Sequence, residues 1–322
     1  AATKLNASPL ISPTHFVDTT ADLTQTNAYS VAAIVGGVEQ TPAPAFVVAA
    51  SAGIKAYLSL PLQMPAGGVT PSGEAYGYTA NDCSVGDLDG DGEYEMIVKW
   101  EPTNAQDNSN GGYTGNVFLD AYTLAGVRLW RIDLGRNIRA GAHYTQFMVY
   151  DLDGDGRAEV ACKTAPNTKD GTGTFIGQPG KFLGTPSAPI DHNADYRNPG
   201  GYVLTGPEFF TIFDGLTGGE LATTNYVVPR NNDPASGNVE AWGDDYGNRV
   251  DRFLAAVAYL DGQRPSLVLC RGYYTRAVLA AWDWRDGQLT QRWVFDSDAG
   301  SPNAPYAAWR GQGAHSLTVG DV

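Results

Sequence analysis

Asp87-Leu-Asp-Gly-Asp-Gly-Glu-Tyr-Glu95 and Asp151-Leu-Asp-Gly-Asp-Gly-Arg-Ala-Glu159 are two copies of one nine-residue phrase, 64 positions apart. Acids fall at positions 1, 3, 5 and 9. Carboxylates on alternate residues of a turning loop, here Asp87, Asp89 and Asp91 or Asp151, Asp153 and Asp155, converge on one point. The backbone carbonyl at position 7, from Glu93 or Arg157, adds another oxygen, and Glu95 or Glu159 closes the shell. Calcium takes about six to eight hard oxygens in such a shell. Glycines at positions 4 and 6 permit the tight, partly left-handed backbone. Without a cation the crowded carboxylates repel one another, which disfavours a bare acidic turn. An EF-hand needs its closing acid at position 12 and flanking helices. Position 12 here is Val98 or Cys162, inside a strand pattern. Each phrase therefore reads as a calcium loop between two β-strands.

The repeat extends outward from these loops. A worn copy, Ala258-Tyr-Leu-Asp-Gly262, follows, and Thr318-Val-Gly-Asp-Val322 opens a further one. Between them a second phrase recurs: strand, glycine turn, strand with a large apolar residue. Its copies are Asp120–Gly126 leading to Trp130, Phe213–Gly218 leading to Leu221, and Trp282–Gly287 leading to Trp293. Two hairpins per unit make four strands, the content of a propeller blade. Strands are predicted at Glu95–Trp100, Val117–Tyr122 and Ser266–Cys270, and Arg252–Leu260 fits helix and strand alike. Two insertions, Pro166–Gly206 and Pro229–Asn248, are rich in Gly, Pro, Asn and Asp and are expected as surface loops. The fold expected is all-β: a β-propeller of four-stranded antiparallel blades, partial in this chain. Residues 1–80, with Tyr29–Val38, form an opening β-region, and 81–322 form blades continuing beyond Val322.

Composition narrows the function classes. The hydrophobic share of 43% supports a sizeable core, and 39 glycines with 11% aromatics suit short strands and tight turns. A formal charge of −14 argues against nucleic-acid binding and suits metal cations. No apolar run reaches the roughly 18 residues of a membrane span. Cys83, Cys162 and Cys270 are an odd number far apart, and Cys83 and Cys162 read as buried free thiols. The N-terminus, Ala1-Ala2-Thr3-Lys4, has no signal segment and reads as a mature start, consistent with a secreted, extracellular protein.

A longer set of phrases is more specific. It comprises Asn81–Gly92, Lys99-Trp100, Asp107-Asn-Ser109, Gly112–Gly115, Trp130–Gly135, Asn137–Phe147, Lys163-Thr-Ala165, Trp242–Leu254, Arg271-Gly-Tyr-Tyr-Thr-Arg276 and Gly311-Gln-Gly-Ala-His-Ser316. Together these resemble the family-eleven rhamnogalacturonan lyases. The resemblance covers most of the chain from Asn81 onward and, more loosely, the first 80 residues. It implies an eight-bladed propeller in the full protein, several calcium ions, and β-elimination on the rhamnose–galacturonic acid backbone of pectin. It also implies that His315 lies near the catalytic centre and helps ligate a calcium, although Ala314 stands where asparagine is more usual. The arginine and lysine that handle the substrate carboxylate fall beyond Val322. The expected partner is the rhamnogalacturonan polysaccharide, with no nucleic acid and no membrane. The chain is expected to be monomeric, completed by a C-terminal portion of the same protein.

Elimination removes the C5 proton of a galacturonate and expels the oxygen on C4, and a cation on the neighbouring carboxylate spreads the developing charge. A base must reach C5. Spacing identifies no base in this chain; the main catalytic groups are expected beyond Val322, with His143 and His315 as the candidates within it. Arg136, Arg139 and His143 share a dense polar phrase. Arg271 and Arg276 flank Tyr273 and Tyr274, a pattern suited to uronate carboxylates and sugar rings. Asn108 is a further sugar-binding candidate, although Asp107-Asn-Ser109 also fits an Asx turn. Lys99 and Lys163 end matching strands and read as equivalent structural positions. The rival readings are a non-catalytic calcium propeller for adhesion or carbohydrate binding, and a hydrolase. The first predicts uniform repeats, whereas Asn137–Phe147 and Arg271–Arg276 are unique; the second needs a pair of carboxylates left over from the metal loops.

Overall fold

A computed structural model of the chain describes residues 2–13, 15–53, 57–230, 239–298, 306–312 and 314–321. The chain divides into two compact units, Ala1–Ser59 and Leu60–Val322. In the first, β1 (Asn27–Tyr29) pairs with β4 (Phe46–Val48) and β2 (Ile34–Val35) with β3 (Val38–Glu39), both antiparallel. The β2–β3 turn is Gly36-Gly37, with φ of +57° and +81°. Two positive φ values in a two-residue hairpin require glycine or asparagine.

The second unit opens with a small pair, β5 (Gly68–Val69) and β6 (Ala75–Tyr76). Twelve strands follow as three four-stranded antiparallel meanders. Sheet I holds β7 (Tyr78–Gly86), β8 (Glu95–Pro102), β9 (Phe118–Tyr122) and β10 (Arg128–Asp133). Sheet II holds β11 (Phe147–Tyr150), β12 (Glu159–Thr164), β13 (Phe209–Phe213) and β14 (Glu220–Asn225). Sheet III holds β15 (Phe253–Ala258), β16 (Ser266–Arg271), β17 (Val278–Arg285) and β18 (Gln288–Asp296). The ambiguous Arg252–Leu260 stretch thus holds a strand, Phe253–Ala258, which pairs along its whole length with β16 and buries Phe253 in the core between sheets II and III. Each glycine-turn phrase is the hairpin joining the last two strands of its sheet.

The sheets stack face to face. Ile97, Leu119 and Ile132 of sheet I pack against Val160, Cys162, Phe209 and Phe213 of sheet II. The opposite face of sheet II sends Ala161, Phe210 and Ile212 against Leu267, Leu269 and Trp282 of sheet III. Side chains alternate across a strand, so a sheet covered on both faces reads as a nearly continuous apolar run, as Phe209–Phe213 does with its one polar residue, Thr211, also buried. Close approach fixes the fit: a Cβ on Gly86 would stand 2.7 Å from the Ala158 side chain. The first insertion is not a simple surface loop. Its Ile176 and Phe182 join the core between sheets I and II, and Lys169 bridges back to Asp133. Residues 231–238 of the second insertion and Val322 lie outside the described residues.

All three cysteines are free thiols, but Cys83 is exposed rather than buried, because it sits on the edge strand β7. Burial pushes the Cys162 thiol up to about 12 and the Cys270 thiol up to about 11. Strand direction then sorts the connections. The β7–β8, β11–β12 and β15–β16 loops lie at one end of the stack, and the remaining long connections lie at the other.

Candidate functional site

The first end carries the acidic phrases, and both loops are wound identically by their own carboxylates. Asp87 accepts the Gly90 and Gly92 amides at 2.7 and 2.9 Å, and Asp151 accepts those of Gly154 and Gly156 at 2.7 and 3.0 Å. Asp89 and Asp153 each accept the amide two residues on, as do Asp91 and Asp155. Glu95 and Glu159 reach back to the Leu88 and Leu152 amides. Gly90, Gly92, Gly154 and Gly156 have φ between +82° and +90°, as a loop of this shape demands. The result gathers Asp87, Asp89 and Glu95, and again Asp151, Asp153 and Glu159, with ligand oxygens within 4.8 Å of one another. The Asp91 and Asp155 carboxylates stand outside these groups and serve the turn.

Such crowding has an electrostatic signature. Burial pushes the Glu159 carboxyl up to about 8, helped by the charges of Asp153, Asp155 and Asp151. Glu95 shifts in the same direction, first by burial and then by Asp89, Asp91 and Asp87. An all-oxygen donor set with this much uncompensated negative charge fits a hard cation. The two loops also touch, since the Ala158 amide donates to the Asp87 carbonyl at 2.7 Å.

The third phrase has lost this chemistry. Tyr259, Asp261, Gln263, Pro265 and Leu267 stand where the second loop has Asp151, Asp153, Asp155, Arg157 and Glu159. Its remaining Asp261 only caps the Gln263 and Arg264 amides. A guanidinium supplies the positive charge instead. Arg285 donates to the Pro265 carbonyl of this loop and, at 2.7 Å, to the Leu152 carbonyl of the neighbouring one. Hydrogen bonds from a charged donor contribute about 1.5–3 kcal/mol each. Taken at the lower end, the two bonds sum to about 3 kcal/mol, so Arg285→Ala should lower the thermal midpoint by roughly 6–12 °C while leaving the number of bound ions unchanged. Calorimetry and metal analysis on the same sample test both halves, and a lost ion would contradict this assignment.

At the opposite end the structure corrects several expectations. Arg271 is 1% exposed, and its guanidinium is saturated by five hydrogen bonds. Two go to Glu208 at 2.8 and 2.9 Å and one to Asp251 at 3.2 Å. Arg230 and Lys163 close on the same Glu208 at 2.9 and 3.1 Å. Arg276 is buried against Asp296 and lies 4.7 Å over the Trp242 ring. Arg139 is buried too, donating to the Tyr144 hydroxyl and the Asn110 and Gly112 carbonyls, with Tyr202 against its face. Asn108 is fully buried and donates to the Asp251 carbonyl. None of these four presents a free polar face to a sugar, so their part is to hold the connections together. Arg136 turns away to a separate cleft of about 390 Å³ with Arg197 and Tyr76. Asp107 makes the Asx turn, accepting the Ser109 amide and hydroxyl. Lys99 is buried and pairs with Asp82.

What does reach the surface is a compact polar–aromatic group. Tyr273 and Tyr274 lie on the β16–β17 connection with ring centroids 4.1 Å apart. His315, from far along the chain, meets the Tyr274 hydroxyl at 3.0 Å and stands edge-on to Tyr273 at 5.1 Å. His143, on the β10–β11 connection, lies 3.7 Å from Asp107. Burial, then Arg252, and further His315, lower the His143 pKa against the opposing pull of Asp107. Its imidazole is therefore neutral at neutral pH and able to accept a proton. The structure thus brings together Tyr273, Tyr274, His143 and His315. His315 joins neither carboxylate group and lies at the other end of the sheets. Arg252 is the member of this group that the sequence did not single out. Its only signal was its place in the Trp242–Leu254 phrase.

Comparison with known proteins gives a consistent result. The sequence profile of rhamnogalacturonan lyase family 11, C-terminal domain, matches residues 57–322. The chain is 55% identical over 319 residues to the rhamnogalacturonan endolyase YesW of Bacillus subtilis (strain 168). It is 53% identical over 320 residues to the rhamnogalacturonan exolyase YesX of the same organism. These matches take in 99% of this chain and 47% of each relative, so the chain spans about half the length of the curated relatives it matches. The crystal structure of YesX superposes with a TM-score of 0.82 over 95% of the chain and 46% of that protein. A Bacillus licheniformis rhamnogalacturonan lyase structure superposes with a TM-score of 0.84 over 99% of the chain and 50% of that protein, at 55% identity.

Proposed function

The chain belongs to rhamnogalacturonan lyase family 11, and on that premise we propose that it forms part of a secreted enzyme cleaving the rhamnose–galacturonic acid backbone of pectin by β-elimination. The observation that carries this reading is the convergence of His143, His315, Tyr273 and Tyr274 from three separate parts of the chain. The exposed Tyr274 ring beside Tyr273 suits the apolar face of a sugar. A neutral histidine beside them suits withdrawal of the weakly acidic C5 proton of a uronate. His143 is the better placed of the two for that role, because burial and Arg252 keep it unprotonated.

Calcium is the ion we assign to Asp87, Asp89 and Glu95 and to Asp151, Asp153 and Glu159, with the Glu93 and Arg157 carbonyls completing each shell. When bound, it supplies charge compensation that holds the loops and the sheets they join. We further read the three stacked meanders as successive blades of a propeller, eight in the complete fold, after an opening region over residues 1–80. The test is incubation of the protein with rhamnogalacturonan and calcium while following the ultraviolet absorbance of the unsaturated uronyl product. Absorbance should rise, and a His143→Ala variant should lower the rate by about a hundredfold or more, the range expected for loss of a general base. Reducing ends without unsaturation would mark a hydrolase and overturn the reading.

A further inference from the structure

An acidic molecule that binds a polyuronate needs local positive charge, since its average surface repels the ligand. The arginines that the sequence offered for this, Arg271 and Arg276, are buried and held by Glu208, Asp251 and Asp296. Arg252 differs from both. Its side chain is 14% exposed, and it sits at the start of β15 among the surface group of His143, Asp107 and Tyr273. Its guanidinium lies 4.3 Å over the Tyr273 ring, which fixes the plane of the fork.

The donors of that fork are largely unspent. Among the described residues Nη2 donates to Asn248 Oδ1 at 3.1 Å, and Nε, itself buried, has no hydrogen-bond partner, which leaves the outward Nη edge of the fork to meet a ligand. The nearest carboxylate, Asp107, is 3.8 Å away, and the same Oδ1 already accepts the Ser109 amide and hydroxyl. Among the described residues, one side-chain hydrogen bond against the five of Arg271 is a poor balance for a partly desolvated cation. A planar fork with free donors, held rigid on an aromatic face, matches a carboxylate bidentately. We propose that Arg252, stacked on Tyr273, is a carboxylate subsite that takes the uronate residue of the polysaccharide and so selects an acidic chain over a neutral one. The subsite rests on the lyase reading, and it names the group that recognises the acid.

The test is calorimetric binding to the whole chain in calcium buffer, with two probes. One is a short rhamnogalacturonan oligosaccharide, the other the same oligosaccharide with its carboxylates reduced to alcohols. The wild-type protein should bind the acid form about tenfold or more tightly than the reduced form, the worth of one charge-assisted contact. Arg252→Gln should lose that tenfold on the acid form and bind the reduced form unchanged. Arg252→Lys, which keeps a charge over Tyr273, should recover part of the loss. A merely structural arginine would weaken both probes alike, and that outcome overturns the proposal. So does wild-type protein that binds both probes equally, or a Gln variant that holds the acid form as tightly as wild type. Wild-type protein that binds neither probe overturns the lyase reading itself, and this subsite with it.

Discussion

Replacing Glu208 by alanine should lower the thermal midpoint of the protein by roughly 10 °C. Glu208 is 3% exposed and stands at the centre of a buried group in which, among the described residues, Glu208 and Asp251 are the carboxylates paired with Lys163, Arg230 and Arg271. Both of its oxygens are committed, and the Arg230 amide adds a further hydrogen bond at 2.7 Å. Burial alone would raise its pKa, but the charges of Arg230, Arg271 and Lys163 hold it well below the usual carboxylate range. Removing it leaves three buried cations against one carboxylate. Breaking a buried ion pair from one side costs about 3–5 kcal/mol, chiefly because the stranded partner stays desolvated. Glu208→Gln keeps the shape and isolates the charge. Arg271→Met should cost less in that background than alone, because its partner is already gone. Additive losses would show that the two residues do not share a network.

The same group has a pH signature. A carboxylate with a depressed folded pKa contributes its full stability above its unfolded value of about 4.3. The contribution is lost progressively as pH falls from there through the folded value. Wild type should therefore lose stability below about pH 4 more steeply than Glu208→Gln, which has no such proton to take up.

Which features were legible in the sequence depended on how far apart their partners lie. The acidic loops could be read because all their carboxylates fall within nine residues and each bonds an amide two to seven positions away. The glycine-turn hairpins are equally local. Arg271 was misread for the opposite reason. Its neighbours in sequence are two tyrosines, but its partners Glu208 and Val228 lie 63 and 43 residues off. Nothing in the local pattern distinguishes an arginine aimed at a buried glutamate from one aimed at a sugar. Arg252 was overlooked because it opens an ambiguous apolar run, and its surroundings come from other connections. Asn108 behaved likewise, since its bond to Asp251 spans 143 residues. The first insertion looked like a surface loop by composition, and only the packing of Ile176 and Phe182 between two sheets corrects that.

If the loops hold calcium as proposed above, chelation should have an effect as large as losing Glu208, and it can be divided loop by loop. Each acidic loop sits where two strands of a sheet meet, and the first is tied to the second through Ala158 and Asp87. Ligand that binds only the folded state adds about 2.7 kcal/mol when its concentration is about a hundredfold above its dissociation constant. Two such sites together supply about 5 kcal/mol, so a chelator should lower the midpoint by roughly 10 °C or more. Magnesium should restore little of this, because it demands a tighter octahedral shell. Asp89→Ala and Asp153→Ala should each release one ion and each retain part of the response to chelator. Asp261→Ala is the decisive control, because it carries the same type of residue in the worn third phrase. Asp261 caps two amides and, among the described residues, belongs to no carboxylate group that could hold an ion, so its loss should leave the metal content untouched. Metal analysis of the three variants reads the answer directly. An ion lost from Asp261→Ala, or identical midpoints with and without chelator in the wild type, would remove the metal from this account of the fold.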